Sequence, residues 1–483
     1  MRGSEDESGR HRLFWPIASG YAVVLFLWSA LRHAHYGSHA LDLGAYHQVF
    51  YSLGVHRSLW SPIEQIHQWS AHLEVGLLPL GVFYRVAPTP LWLFALQAAS
   101  CAAAAVPVET LARRFTGDAF IALVITVATL LTPQLLFASI NDFHSITLCA
   151  YPLALLVLGI ETDVLLYVII GAALALSLRE QMGLAVFAAG IAWFARHGRR
   201  RQFPAAILAL VGLSVFLAEV LWLIPSFAGG GAFRYVATAY PFGSSPGGAL
   251  RFALAHPLRF LALPFEGRRR LVYPLLLASG ASAVVLVAIV KAPRRALVPL
   301  LILAPLILVQ LYSSRVLVFS IESQYGAPLV PLLGVAGALG VGVLTKKRRR
   351  LGAAAALLWL AVTATHALFS VGPLAVEAGG PLDRSFSRSA RSAALARAVA
   401  AIPRGAAVSA QDAITAHLAG DVRLWPAAEE TARFVVLDAN VATGGRTADD
   451  VGAAEARLRA DPRFEVRVDE AGVLLLERRA LDR

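Results

Sequence analysis

Long apolar runs alternate with short charged ones along most of the chain. Runs approaching the roughly 20 residues that a helix needs to cross a bilayer core occur at 13–31, 90–111, 119–140, 145–160, 164–178, 182–194, 204–227, 272–290, 296–312, 327–344 and 351–371. The pattern predicts an α-helical polytopic membrane protein with about eleven transmembrane helices over 13–371. A shorter apolar stretch, 72–86, carries Glu74 and Arg85 and is expected to lie re-entrant or interfacial. Two long polar loops interrupt the series, at 32–89 and 228–270. Towards the C-terminus the pattern becomes that of a soluble segment. Residues 434–438 read as a buried strand, and 465–468 with 473–477 read as a hairpin turning at Gly472. Helical patterns at 389–401 and 449–460 flank them. A small C-terminal α/β domain over 372–483 follows.

Composition agrees. The chain is 57% hydrophobic and only 15% charged, where soluble domains carry about 25% charged residues; the mean hydropathy is +0.62. A net charge of +12 would point to nucleic acid in a soluble chain. Here the basic residues sit in short runs between apolar segments, so topology explains them and no nucleic-acid partner is expected. With a cytoplasmic N-terminal tail (1–12), the runs at 113–114, 196–201, 291–295 and 346–350 all fall inside. The long loops and the C-terminal domain then lie outside a plasma (inner) membrane. One basic run, 268–270, breaks the rule. Cys101 and Cys149 lie in apolar runs and read as small core residues, not as a disulfide framework.

The candidate chemistry gathers in the first polar loop. Seven of the thirteen histidines lie between His33 and His72, with Asp42, Glu64 and Glu74 among them. Asp42 either caps a helix beginning at Leu43 or serves as a general base. Asp142 and His144, in the tetrad Asn141-Asp142-Phe143-His144 at the mouth of a run, are either a solvated turn or costly, functional groups at membrane depth. Arg179 and Glu180 between two runs read as a phosphate clamp or as an ion pair snorkelling to the headgroups. Gln324 and Tyr325 read as a sugar or lipid contact or as an interfacial anchor. Imidazole and carboxylate together would suit zinc or manganese, but no HExxH-type spacing appears. The histidines read chiefly as solvated or structural, and a divalent metal stays open. The Gly-rich run at 229–231 precedes no Lys-Ser/Thr and is not a phosphate loop.

Asp42-Leu43-Gly44 with Gln48, His72 with Pro79 and Tyr84, Gln97, Asp142-Phe143-His144, Arg179-Glu180, and Gln324-Tyr325 with Pro328 together resemble a family of prokaryotic membrane proteins catalogued as a domain of unknown function, DUF2079. The resemblance spans roughly 35–480. That family typically has Lys-Glu-Asp where this chain has Arg179-Glu180-Gln181, so a third acidic group is missing here. The wider architecture resembles the GT-C superfamily of polyprenyl-phosphate-sugar glycosyltransferases. Those proteins have an acidic residue early in the first external loop, a second acidic site after the third span, and often an external C-terminal domain.

The resemblance implies a membrane enzyme with Asp42 and Asp142 in catalysis. It implies His47, Gln48, His72, His144, Arg179, Glu180, Gln324 and Tyr325 as substrate-binding residues, and membrane lipid and a polyprenyl-phosphate-linked sugar as partners. It leaves the cofactor and the oligomeric state unknown. Fold does not fix function, so two other classes stay in view: a transporter or flippase, which usually shows repeats and broken helices, and a non-catalytic envelope scaffold.

Overall fold

The computed structural model describes residues 2–230, 233, 238–242, 246–371, 389–442 and 446–479. The expected start of the C-terminal domain at 372 and parts of the loop 228–270, including Gly231, lie outside the described residues. The chain divides into two compact units. One comprises Met1–Leu27, Trp69–Leu77 and Phe94–Gly380, the other Trp28–Gln68, Leu78–Leu93 and Pro381–Arg483.

Among the described residues, eight helices are long and apolar enough to cross a membrane, or nine if the bent pair Ala119–Leu130 and Pro133–Ile140 is one span. The count differs from eleven at two places. Met182–Phe227 forms one apolar run, but its helices Met182–His197 and Gln202–Ala218 pack side by side in opposite directions. Gly183 faces Gly212 and Phe216, and Gly190 faces Ala205 and Ala209. A Cβ on Gly190 would stand 2.5 Å from the Ala205 carbonyl oxygen, so the two backbones meet where only glycine fits. The second place is Leu165–Leu176, an apolar helix of 12 residues. At about 1.5 Å per residue it is too short for a core about 30 Å thick. The 55° bend between Leu130 and Pro133 has a local cause. Thr132 is extended (φ −60°, ψ 126°), as the residue before a proline prefers, and Pro133 offers no N–H to continue the helix.

The basic runs of the first unit meet acidic residues at helix ends. Arg196 pairs with Glu161 at 3.0 Å, Arg201 with Asp163 at 2.7 Å and Arg349 with Asp118 at 2.6 Å. Arg295 approaches the same Glu161 at 3.9 Å. The run Ser145–Thr162 ends beside this cluster, and its other end, Ser145, lies roughly 25 Å away along the helix axis. Polar residues at that far end form the site described below.

The second unit is built on a five-stranded mixed sheet. A small antiparallel pair, β1 (Trp60–Ser61) and β2 (Ile66–His67), precedes it in the chain. The sheet comprises β3 (Val408–Ala410), β4 (Val422–Leu424), β5 (Phe434–Asp438), β6 (Phe464–Glu470) and β7 (Val473–Arg478) in the order β4-β3-β5-β7-β6. β3 runs parallel to β4 and β5, and β5, β7 and β6 are antiparallel neighbours. Helices Ala390–Ala400 and Ala448–Arg459 each begin at a capping box, Ser389 with Ser392 and Thr447 with Asp450. One face of the sheet buries Val408, Val436 and Leu475 against Leu395 and Ala398. The other buries Val435, Leu437 and Leu476 against Val451 and Leu458.

The first polar loop contributes to this unit. Tyr36 joins the first of these cores. The helix Ala45–His56 packs on Leu80–Val86, where Gly54 meets the backbone of Gly81 and Arg85. Asp42 does not cap a helix beginning at Leu43. It lies within a wide π-type turn, Ala40–Gly44, that leads directly into Ala45–His56, and the residue before the turn is the extended His39. The free backbone amide is met from far along the chain: Ala40 N donates to Asp412 Oδ1 at 2.6 Å. Asp42, half-buried in the first turn, sits where a helix dipole favours negative charge.

Candidate functional site

In the first unit three separate stretches bring ionisable groups together. His72 and Glu74 come from the apolar stretch 72–86 within the first loop. Their approach depends on Gly76, whose N–H donates to the Ser177 carbonyl at 2.8 Å. A Cβ there would fall 2.4 Å from Ser177 Oγ. Arg179 and Glu180 occupy the turn before Met182–His197, with Met182 N donating to Arg179 O and Gly183 N to Glu180 O. Ser145 begins the helix after the Asn141–His144 turn.

His72 Nδ1 lies 3.2 Å and 3.1 Å from the two Glu180 oxygens. Arg179 Nη1 donates to Glu74 Oε1 at 3.1 Å and to Ser145 Oγ at 3.0 Å, and Ser145 Oγ donates to the same Glu74 oxygen. Arg179 Nε stands 3.9 Å from Glu180 Oε1. All five residues are buried. Arg179 is therefore an interior ion-pair partner and does not snorkel to the headgroups. Burial raises the Glu180 carboxyl, but His72 and Arg179 outweigh it and hold the group down at about 2.

The turn before Ser145 is held by Gln97, whose Oε1 accepts from His144 N at 3.0 Å. Asp142 is buried, and its carbonyl lies 3.1 Å from His144 Nδ1. The segment Gln324–Leu329 packs against Pro133–Ile140 and the short helix Ser145–Leu148. Tyr325 O accepts from Gln310 Nε2, and Gln310 Oε1 accepts from the Tyr273 hydroxyl, both at 2.7 Å. Burial, Glu180 and Tyr325 together raise the Tyr240 hydroxyl far above its ordinary value, so Glu180 and Tyr325 both act on Tyr240.

Glu180 and Gln181 line a cavity of about 470 Å³ whose other walls are mostly apolar and aromatic, among them Phe216, Val220, Tyr240, Phe242, Phe260 and Tyr312. Phe260 stacks on Tyr312 at 4.7 Å. A polar, charged head thus opens on a greasy, ring-lined slot.

In the second unit, Gln48 uses both ends of its amide on the C-terminal domain. Nε2 donates to Leu418 O, and Oε1 accepts from Gly420 N. His39 Nδ1 lies 2.9 Å from Asp412 Oδ2. Burial raises the Asp412 carboxyl, but His39 and the Ala40 amide bring it below its usual range, while Asp42 opposes them. His47 is buried with Nδ1 3.2 Å from the Tyr84 hydroxyl, and burial lowers it to about 4. It lines a second cavity, about 490 Å³, with His33 and His417. The His33 and His417 rings stack at 3.9 Å.

Among the described residues, no group of three or more His, Cys, Asp or Glu side chains is placed to hold a metal ion. The sequence singles out Glu74 as an acidic group of the first loop without giving it a role; the residues it passes over are Ser145 and Glu219. Glu219 is buried in a π-type turn, Glu219–Leu223, next to the cavity-lining Val220. A carboxylate inside the apolar run 204–227 was the available signal.

The family described as "Predicted membrane protein (DUF2079)" matches residues 32–475. The chain belongs to this family. No curated protein matches it. Two solved structures share its fold: ArnT from Cupriavidus metallidurans bound to undecaprenyl phosphate, and the same protein in the apo state. Each is 12% identical, with a TM-score of 0.59, covering 97% of this chain and 98% of the other. The DUF2079 and GT-C-like resemblances read from the sequence are thereby borne out, the second as a likeness of fold.

Proposed function

We propose that this DUF2079 protein is a membrane glycosyltransferase that takes a sugar from a polyprenyl-phosphate donor on the extracytoplasmic face. The observation that carries the reading is the buried His72–Glu180–Arg179–Glu74–Ser145 cluster at the head of an aromatic-lined apolar cavity. An isoprenoid chain suits the ring-lined slot, and sugar hydroxyls suit the carboxylate and imidazole at its head. A solved protein of the same fold holds undecaprenyl phosphate.

In this reading Asp42 is the general base. Its carboxylate takes the acceptor hydroxyl proton as that oxygen attacks the sugar C1. The C1–O bond to phosphate breaks, and its electron pair leaves on the lipid phosphate. Asp142 positions His144 through its carbonyl, which lies 3.1 Å from His144 Nδ1, and His144 donates to the departing phosphate. Glu180 and His72 orient the sugar, with Tyr325 and Gln324 beside them. Arg179 holds Glu74 in place and helps keep Glu180 ionised. Gln48 and His47 hold the helix Ala45–His56 that follows the Asp42 turn. No step is routed through a metal. The topology that accompanies this reading has eleven spans: nine, plus one from splitting Met182–Phe227 into its two antiparallel helices, plus Leu165–Leu176, whose 12 residues cross where the bilayer thins around them. The domains are a cytoplasmic tail at 1–12, a membrane domain at 13–371, and an extracytoplasmic domain at 372–483 in a plasma membrane.

The bent pair Ala119–Leu130 and Pro133–Ile140 favours a second reading, a transporter of a lipid-linked envelope component, since broken helices line transport sites. Lipid extracts of a deletion strain separate the two. The transferase predicts a lipid-linked sugar that accumulates and an acceptor that lacks the sugar. An unchanged lipid-linked sugar pool with unchanged glycans would overturn it.

A further inference from the structure

The basic run 268–270 lies at the head of the helix Arg268–Ala278, on the side where the positive-inside pattern expects none. Its three arginines are used differently. Arg270 is consumed by the fold: Nε donates to Leu311 O, Nη2 to Ser313 O and Nη1 to Glu266 O, and its guanidinium lies 4.9 Å from the centre of the Phe319 ring. Arg268 and Arg269 are exposed, and their guanidinium groups are not consumed by the fold as that of Arg270 is. Both line a cleft of about 470 Å³.

Apart from Ser320 and Glu322, the rest of that cleft is mainly apolar and aromatic. Val272 and Leu276 follow the arginines down one face of the helix, and Val316 and Ile321 form the facing wall. From Arg268 to Leu276 the helix rises about 12 Å. Positive charge therefore sits at the end of a membrane helix, and a greasy groove leads from it into the apolar run. A free anion would need the arginines alone; an amphiphile uses both parts. We infer that this cleft binds an anionic phospholipid, with the headgroup phosphate on Arg268 and Arg269 and an acyl chain along Val272 and Leu276. The opposing charge in the cleft is Glu322, exposed at its rim; it tempers the attraction and favours a singly charged headgroup. The site is separate from the Glu180 cavity and stands or falls independently of the transferase reading.

Native mass spectrometry of the full-length protein, with dioleoyl phosphatidylglycerol and dioleoyl phosphatidylcholine as competing probes, tests the inference. Each arginine near an anionic lipid surface contributes about 1 kcal/mol, a factor of about five. Arg268→Ala/Arg269→Ala should therefore lower the phosphatidylglycerol preference by roughly 30-fold. Arg268→Lys/Arg269→Lys should keep most of it, and Glu322→Gln should raise it. Arg348→Ala/Arg350→Ala removes the same charge elsewhere and should leave it unchanged. An equal loss in that control pair would overturn the inference. So would an unchanged preference in the double alanine variant when both variants are monodisperse, or complete displacement of the lipid by millimolar inorganic phosphate, the mark of a free-anion site.

Discussion

Replacing Arg179 by alanine removes the cation from the buried Glu74 carboxylate and leaves the Ser145 hydroxyl still donating to it. The Arg179 and Glu74 side chains are only 8% and 3% exposed, and the Nη1–Oε1 distance is 3.1 Å. At that distance an effective dielectric of about 20 gives an attraction of about 5 kcal/mol, before the cost of desolvating both groups. Removing one member of a buried pair costs about 3–5 kcal/mol, because the survivor is charged and uncompensated. Arg179→Ala and Glu74→Ala should each fall in that range. Replacing the pair together with neutral groups of similar volume, Arg179→Met with Glu74→Gln, should lie closer to the parent than the Arg179→Met single variant. Denaturant titration in mixed micelles, run as a double-mutant cycle, reads the coupling directly. Single variants within about 0.5 kcal/mol of the parent, or losses that simply add in the double variant, would refute a buried, coupled pair.

Acid should act through Glu180. Its folded carboxyl lies at about 2, below an ordinary glutamate at about 4.3, so the group stabilises the fold above about pH 4 and loses that contribution as pH falls towards 2. The term is on the order of 3 kcal/mol, and Glu180→Gln should flatten the stability-against-pH curve across that window; an unaltered slope would contradict it. Asp412→Ala removes the acceptor for Ala40 N and should cost about 1 kcal/mol, in the range of a lost helix cap, with Asp412→Asn recovering much of it; equal behaviour of the two variants in thermal unfolding would rule out the capping role. Reporter fusions after Arg201 and after Ser389 should report opposite sides of the membrane, and the same side for both would overturn the proposed topology.

The membrane helices were legible because apolar runs of bilayer length have few other uses in a chain this poor in charge. The antiparallel packing of Met182–His197 on Gln202–Ala218 could be read from the basic interruption at 196–201. In the C-terminal domain, the strand at 434–438 and the hairpin showed their alternation or turn. β3 and β4, with three residues each, are too short to show a period and are fixed by their parallel neighbours. Asp42 looked like a cap because Asp often is one; the residue that meets the amide is Asp412, 372 positions away from Ala40. Arg179 and Glu180 stood out as charges between apolar runs. Glu74 was visible as an acidic group of the first loop, but not its role, because its partner is 105 residues distant. Gln97 belonged to the recognised family pattern, but its grip on the His144 amide is visible only in the fold.

The central claim is that Asp42 is the base of a sugar transfer. The direct test is to quantify polyprenyl-phosphate-linked sugar in a deletion strain complemented with the parent or with Asp42→Asn. The amide keeps the shape and much of the hydrogen bonding but not the basic oxygen, and losing a general base costs about 100- to 10,000-fold in rate. Since Asp412 meets the Ala40 amide, the variant should be as stable and as abundant in the membrane as the parent. Asp42→Asn should leave the lipid-linked sugar accumulated while the parent clears it. Full clearance by Asp42→Asn at normal abundance would contradict the account and remove Asp42 from the mechanism.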